Sequence, residues 1–499
     1  MIPVILRSGP IALLAALVLV LLSACTQSPP QRVDLTILAT ADVHGRIMAW
    51  DYLRDEPDQP HGLLKAASVI DQLRRERDHV LLLDAGDFIQ GNPFADYFAT
   101  VAEAPEQHPA LQVMDALDYD AIALGNHEFN FGIPYINRQI GLTATPILAG
   151  NVYHHGTDTP AYLPYLLRQF GDVTVGILGL TTPGSALWDR HHVEGRLDFG
   201  DGVAAARRYV PELRAAGADI VVALLHTGLE SRAGSPAGPQ GLLENFGRET
   251  IESVPGIDVA ILSHSHRVIE DLVLEGPDGR PVTVIQPGRW ASHLGEVRLE
   301  LEAADTGPGW SVRTLASRAI PLMDTPPQPD LVTRVAAWHE EVRGWVNEAL
   351  ATTPDAWSSQ EARLRDTPLI DLIHTVQQQT GGAQLSATAA FTTRLAFGPG
   401  PVTRADLAAL YPYENTLVVL ELTGAQLRAY LEHAAGYYAG VDDGVPVVAD
   451  GWPGYTMLTD APVVAEIPRS IRDLLEAYLA EHGELRHADV HRQNWLLLY

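Results

Sequence analysis

Between residues 35 and 266, five apolar runs each deliver Asp, Asn or His at their carboxyl end, and this recurrence narrows the fold more than any other feature. Residues 35–39 run into Asp42 and His44, 80–83 into Asp84 and Asp87, and 121–124 into Asn126 and His127. Residues 220–225 end at His226, and 259–262 lead into His264 and His266. Several of these runs, with 173–180, are nearly continuous in Val, Ile and Leu, as expected of strands covered on both faces. Residues 63–75 and 203–216 carry apolar side chains at helical spacing. Strands alternating with helices predict an α/β layered core, closed by strands at 282–285 and 297–301. In an open α/β sheet the carboxyl edge is where ligands bind. Gly45, Gly86 and Gly125 at that edge permit tight turns and close backbone approach.

A chain of 499 residues is too long for one core, so two domains are expected. A proline-rich break at 324–330 precedes a stripe of Val335, Trp338, Val342, Trp345 and Val346, which predicts a packed linker helix over 331–350. A second unit begins near residue 360, with a strand at 417–422 and a helix at 425–433. Ahead of the core, residues 11–22 are unbrokenly apolar but fall short of the about 20 residues that span a bilayer. They end in Leu22-Ser23-Ala24-Cys25. This resembles a bacterial lipoprotein signal in which Cys25 is lipidated and heads the mature chain; a plain secretory signal with an incidental cysteine is the alternative. The expected division is a signal at 1–25, a first domain at 26–322, a linker with a helix at 323–359 and a C-terminal domain at 360–499. The reading places the chain outside the cytoplasm, in the periplasm or at the cell surface, held to a bacterial membrane by a lipid anchor. Cys25 is the sole cysteine, so there is no disulfide framework and no thiolate metal site. The net charge of -28 argues against a grip on long nucleic acid, yet leaves room for a small phosphorylated substrate at a metal site.

A lone histidine after a strand is more often a hydrogen-bonded structural residue than a ligand, but five such sites in order are hard to assign to chance. Oxygen and imidazole donors without thiolate suit Zn, Mn, Fe or Mg in a catalytic role. Seven candidate donors exceed what one catalytic ion needs, so two ions are implied. The set closely resembles the calcineurin-like metallophosphoesterases, and within them the two-domain nucleotidase branch. The resemblance implies a four-layer αββα sandwich, a linker helix and a smaller, shortened α+β C-terminal domain. It also implies two divalent ions, Mn, Zn, Mg or Co. Asp42, His44 and His266 match the ligands of one ion, Asp87 the carboxylate that bridges both, and Asn126, His226 and His264 the ligands of the other. Asn126 and His127 form the catalytic pair, His127 matching the histidine that stabilises developing charge or protonates the leaving group. Two ions about 3.5–4 Å apart can clamp an in-line displacement at phosphorus. Asp84 and His293 read as structural.

Several stretches, including Asp84 to Pro93 and Gly125 to Gly132, resemble the subgroup of periplasmic 2',3'-cyclic-nucleotide 2'-phosphodiesterase/3'-nucleotidases; Trp188-Asp189 fits as well. Many 5'-nucleotidases carry Asp where this chain and that subgroup carry Asn130. In the second domain Tyr413 matches an aromatic that stacks on a base, and Arg394 lies near a basic residue beside substrate; a packed tyrosine and a solvated arginine are the alternatives. After Gly454-Tyr455-Thr456-Met457 the chain departs from the subgroup, losing the stretch with a second stacking aromatic, for which Tyr437, Tyr438 or Tyr455 could substitute. The expected function is hydrolysis of 2',3'-cyclic nucleotides and 3'-nucleotides. A 5'-nucleotidase or broad phosphatase on the same site, and a non-catalytic surface binding protein, are the alternatives.

Overall fold

In the computed structural model, residues 31–57, 60–230, 241–304, 309–413, 415–442, 445–449 and 461–492 are described. Two six-stranded sheets carry the first unit. One runs in the order β12-β11-β1-β2-β3-β4, with β1 at Arg32–Thr40, β2 at Val80–Asp84, β3 at Ala121–Ala123, β4 at Ile147–Leu148, β11 at His293–Ala303 and β12 at Trp310–Pro321. The other runs β9-β10-β8-β7-β6-β5, with β5 at Tyr165–Phe170, β6 at Val173–Thr181, β7 at Ile220–His226, β8 at Val259–Leu262, β9 at Val268–Glu275 and β10 at Pro281–Pro287. The central strands β1 to β4 are parallel, as are β6, β7, β8 and β10.

Side-chain alternation builds the layers. On β1, Leu35, Ile37 and Ala39 face Val175, Ile177, Val222 and Leu224 of the opposite sheet, forming the core between the sheets. Leu38 and Leu82 turn outward under helices α1 at Leu63–Glu76, α2 at Pro93–Thr100, α3 at Pro109–Ala116 and α4 at Ile133–Leu142. Val221, Ala223 and Leu225 turn outward on the far side, beneath α5 at Gly202–Ala215 and α6 at Gly247–Ser253. The result is the four-layer αββα sandwich. The strands expected at 282–285 and 297–301 lie within β10 and β11, and β11 pairs antiparallel with β1, Leu35 opposite Leu299.

The linker helix α7, Pro329–Val346, starts after Gln328, whose side chain accepts the Leu331 N–H. Its buried Leu331, Val335, Val342 and Val346 belong to the first unit's core. The second unit takes in residues read from sequence as linker: β13, Ala349–Thr353, pairs with β16, Gly400–Thr403, and β14, Trp357–Ser358, pairs with β15, Ala396–Phe397. Its core gathers Trp357, Leu372, Phe397, Leu407 and Leu475 from these strands and from α8, Pro368–Gly381, α9, Arg404–Leu410, and α11, Ile471–His482. Between α9 and α11 lie β17 at Thr416–Leu420, α10 at Gly424–Ala435 and β20 at Val463–Ser470, with the short hairpin of β18, Tyr438–Asp442, and β19, Val445–Val448. That part is thinly covered: α10 buries none of its residues, and Val418, Val463 and Val464 are exposed. The two units are tied by Arg472, whose guanidinium donates to the buried Asp96 carboxylate at 2.8 Å. Among the described residues no helix is long and apolar enough to cross a membrane. Cys25, Tyr455 and the departure after Gly454 lie outside the described residues.

Candidate metal centre

Parallel pairing makes the expected donors neighbours. Thr40 of β1 stands opposite Asp84 of β2, so the loops that follow leave the sheet side by side. They remain joined beyond it: Asp42 N donates to Gly86 O at 3.0 Å, His44 N to Asp87 O at 2.7 Å and Gly45 N to Phe88 O at 2.9 Å. The second sheet reaches across. His226 Nδ1–H donates to Ala85 O at 2.8 Å, Ser263 Oγ–H donates to the same oxygen at 2.8 Å, and His264 N–H donates to the Asp42 carboxylate at 3.0 Å. All seven expected donors come together where the carboxyl edges of the two sheets meet.

The donors form three overlapping groups, Asp42 with His44 and His266, His44 with Asp87 and His127, and Asp87 with His226 and His264. Within each, the donor atoms lie within 4.8 Å of one another. Asp87 belongs to two groups: its Oδ2 is 3.1 Å from His226 Nε2 and 3.9 Å from His44 Nε2. Asn126 Oδ1 approaches His226 Nε2 at 3.1 Å. Asp42, His44, Asp87, Asn126 and His226 are buried, while His127, His264 and His266 are partly open, so the cluster has a buried floor and an accessible side.

Several features fit these residues to divalent ions. His44 donates Nδ1–H to Gln90 O at 2.8 Å and His226 donates Nδ1–H to Ala85 O, which turns both Nε2 atoms inward. Burial pushes the His44 imidazole down to about 3, against the pull of Asp87, and His266 down to about 4, so both rings stay neutral as ligands must. Burial opposes charge on Asp87, but His226, with Nε2 3.1 Å away, chiefly outweighs it and holds this carboxyl well below the usual range. In turn, against its own burial, His226 is pushed up to about 9 by Asp87 and Asp42, so an ion bound there would displace a proton from that ring. His264 Nε2 is taken by Glu244 Oε1 at 3.0 Å, leaving Nδ1 for an ion. Asp42, His44, Asp87, His264 and His266 all adopt left-handed backbone, with φ of 50, 49, 63, 63 and 58°. Such conformations are unfavourable for non-glycine residues and cluster at functional sites.

Residues the sequence reading left without a role brace this cluster. The buried Glu128 carboxylate accepts N–H groups from Asp87 at 2.9 Å, Phe88 at 2.8 Å and Gly125 at 2.6 Å, stitching two donor loops together. Its place beside His127 in the quoted motif was the signal that could have found it. Asn92 caps α2 and donates to His44 O at 2.6 Å. Trp188, 41 % exposed, stacks on His264 with ring centres 5.5 Å apart, at the open side of the cluster. Glu244 and Arg289, which donates toward His266 Nδ1 at 3.2 Å, carried no sequence signal. Asp84 accepts Thr40 Oγ–H at 2.6 Å and the Gly86 N–H at 2.8 Å, and burial pushes it up to about 7. His293 heads β11 and lies in none of the donor groups.

Tyr413 and Arg394 stand apart, in the second unit. Tyr413 is 49 % exposed with its ring against Phe391 at 5.0 Å, and Arg394 is exposed. Among the described residues neither has a hydrogen bond, ion pair or ring contact with the donor cluster. Arg363 donates to Tyr437 Oη at 3.3 Å and to Ala390 O at 3.2 Å, next to Phe391, and accepts the Tyr438 hydroxyl on its own carbonyl at 2.7 Å.

Comparison with known proteins agrees with this architecture. A family model described as calcineurin-like phosphoesterase matches residues 35–268, and one described as 5'-nucleotidase, C-terminal domain, matches residues 349–467. The chain is 32 % identical to a 2',3'-cyclic-nucleotide 2'-phosphodiesterase/3'-nucleotidase of Haemophilus influenzae, over 82 % of this chain and 68 % of that one. It is 30 % identical to its counterpart in Salmonella typhimurium, over 89 % of this chain and 74 % of that one. Among solved structures, a putative 5'-nucleotidase from Staphylococcus aureus superposes with a TM-score of 0.75 at 25 % identity, over 90 % of this chain and 97 % of that one.

Proposed function

The chain belongs to the calcineurin-like phosphoesterases that carry a 5'-nucleotidase C-terminal domain and is a metal-dependent phosphoric ester hydrolase; from that premise we propose that it hydrolyses 2',3'-cyclic nucleotides and 3'-nucleotides. The observation that carries this reading is the chain of three donor groups linked through His44 and Asp87, with His127 in the middle group. Asp42, His44, Asp87 and His266 would hold one divalent ion, and Asp87, Asn126, His226 and His264 a second, with Mn, Zn, Mg or Co as candidates. Bound there, the ions supply Lewis acidity that neutralises phosphoryl charge and acidifies water. His127 is anchored by its own backbone N–H, which donates to Asp87 Oδ1 at 2.8 Å, so its ring would stand beside a phosphoryl group held at the donor cluster. From there its imidazole would donate to the oxygen that leaves. His127→Ala would abolish turnover while leaving metal affinity unchanged; unaltered turnover would sink this role.

The exposed Tyr413–Phe391 pair offers a face on which a base could stack, and Arg394 a cation for an anionic substrate. The thin cover over β17, β20 and α10 favours the second reading, a 5'-nucleotidase or a broad phosphatase with a weakened base clamp. The lipid anchor at Cys25, with a periplasmic or cell-surface location, completes the proposal; Cys25→Ala should move the protein from the membrane fraction to the soluble one.

The deciding experiment uses the chain without residues 1–25, loaded with Mn or Zn. Its panel is 2',3'-cyclic AMP, 3'-AMP, 5'-AMP and bis(p-nitrophenyl) phosphate, each with and without chelator. Chelator-sensitive cleavage of the cyclic and 3'-nucleotides supports the first reading. Cleavage of only the generic diester or 5'-AMP selects the second. Metal binding without turnover overturns both in favour of a binding protein.

A further inference from the structure

His127 does not stand alone. Its Nδ1 is 2.6 Å from Asn130 Oδ1, and Asn130 Nδ2 donates to Asp189 Oδ1 at 2.7 Å. Asp189 is 1 % exposed, and among the described residues its second oxygen, Oδ2, has no hydrogen-bond partner. Its backbone is fixed by other means: its N–H donates to Ser185 O at 3.0 Å, and its carbonyl accepts the His192 and Val193 N–H groups at 2.8 and 3.0 Å. The side chain is therefore not needed to hold the turn, and its one hydrogen bond goes to the Asn130 amide. A buried carboxylate with a single neutral partner is costly to keep.

An asparagine amide can be presented in either of two orientations, and its neighbours decide which. Asp189 Oδ1 accepts from the Asn130 NH2, which turns the Asn130 carbonyl toward His127; burial pushes the Asp189 carboxyl up to about 7, so above that pH it is ionised, only accepts and enforces this orientation. That carbonyl in turn only accepts, so Nδ1 keeps its hydrogen whether the ring carries one proton or two, and Nε2, which is left to meet substrate, is the nitrogen that takes up a proton and gives it to the oxygen that leaves. Without Asp189 the amide is free to turn over, present N–H to Nδ1 and move the hydrogen to Nε2. Asn130 has no charge of its own; the Asp189 carboxyl stands a single hydrogen bond further out.

We infer that Asp189 is a positioning residue for His127, acting through Asn130 to set the tautomer and orientation of the ring. The inference rests on the phosphoesterase reading for its kinetic consequence, but not for its structural one. Four variants test it: Asp189→Ala, the near-isosteric Asp189→Asn, Asn130→Asp, and the exchange Asn130→Asp with Asp189→Asn. In Asp189→Ala, kcat should fall about 10- to 100-fold with KM for 3'-AMP nearly unchanged, since neither residue is needed to bind substrate. The exchange keeps every hydrogen bond and moves the charge next to His127, so it should recover most of the activity that each single variant loses. The second readout needs no turnover: nitrogen-15 shifts of His127 in the metal-free chain, identified by their loss in His127→Gln, should show the Nδ1–H form in the parent chain and the exchange variant. In Asp189→Ala they should show a mixture or the Nε2–H form. Unchanged kcat and tautomer in Asp189→Ala, or an exchange variant no better than its worse parent, would overturn the inference. So would a kcat loss accompanied by lost metal affinity or a lowered Tm with the tautomer unmoved, since that marks a structural role. If the parent chain cleaves no phosphate ester, the activity reading fails, and the tautomer measurement alone still decides the role of Asp189.

Discussion

Replacing Gly125 with alanine is the severest test of how tightly the donor cluster is built. A Cβ at this position would stand 2.1 Å from Asp87 Oδ1, 2.5 Å from His226 Cε1 and 2.7 Å from the Asp87 backbone nitrogen. Ordinary van der Waals contact begins at 3.4 Å, so the carboxylate oxygen would have to retreat by more than about 1 Å. Neither neighbour gives freely. Asp87 Oδ1 is held by the His127 N–H at 2.8 Å, the Asp87 N–H is held by Glu128 at 2.9 Å, and His226 is clamped on Ala85 O at 2.8 Å. A shift of that size at a reacting centre costs about 100-fold in rate, and forced overpacking costs about 1–3 kcal/mol of stability. With Gly125→Ala, kcat for Mn-dependent hydrolysis of bis(p-nitrophenyl) phosphate should fall by at least about 100-fold, and Mn affinity by calorimetry by about 10- to 100-fold. The control is Gly141→Ala on α4, where a Cβ meets nothing within 4 Å. It should leave activity alone and stabilise the helix by about 0.5–1 kcal/mol. A Gly125→Ala chain with parental kcat and Mn affinity would refute the placement of Asp87 between the two donor groups.

Three further outcomes are expected. Glu128→Gln puts an amide where four backbone N–H groups now find a carboxylate, and urea melts of the metal-free chain should show a loss of about 1–3 kcal/mol; an unchanged midpoint would mean that Glu128 does not brace the loops. His108 is buried and pushed down to about 4, so it stays neutral in the fold while the unfolded chain takes a proton near its ordinary value. Its stabilising contribution is complete above the unfolded pKa and disappears as pH falls through about 4, amounting to up to about 3 kcal/mol. His108→Asn keeps the cap on α3 and should flatten the fall in Tm between pH 7 and pH 4; an equal fall in both proteins would contradict this sign. Tyr413→Ala should raise KM for 2',3'-cyclic AMP about 10-fold, the worth of one stacked base, and leave bis(p-nitrophenyl) phosphate untouched; parallel changes on both substrates would remove Tyr413 from base binding.

The residues most easily read from sequence were those the fold places most simply. A strand buried on both faces shows as an apolar run, and a polar residue just beyond its carboxyl end must lie at the sheet edge. Asp42, Asp87, Asn126, His226 and His264 could be assigned a place by this rule alone. The linker helix was legible for a similar reason: its Val335, Val342 and Val346 repeat at the spacing of one helix face, and those residues enter the first core. The start of the second unit was not legible. Ala349–Thr353 is a short, small-residue segment, and it is a strand because it pairs with Gly400–Thr403 far along the chain. Burial there follows from a distant partner, which no local period records.

The bracing around the donors was hidden for a related reason, and its function explains why it must exist. Five donors hold left-handed backbone, at a cost of about 1–3 kcal/mol each. Such loops persist only when their surroundings over-determine them. Here the surroundings are the N–H ladder between the loops after β1 and β2, the four N–H groups gathered by Glu128, and the cross-sheet bonds onto Ala85 O and Asp42. Each of these contacts joins chain segments that are remote in sequence, so a pattern search finds the donor and misses its support. The glycines are the exception. Gly86 carries φ of +96°, and a Cβ there would stand 2.6 Å from Gly125 N and 2.7 Å from His226 Nδ1. Gly86 and Gly125 therefore record in the sequence that two loops and a histidine from the other sheet crowd together at one point. Their presence between the donors, more than the donors themselves, marks the loops as folded around a shared centre.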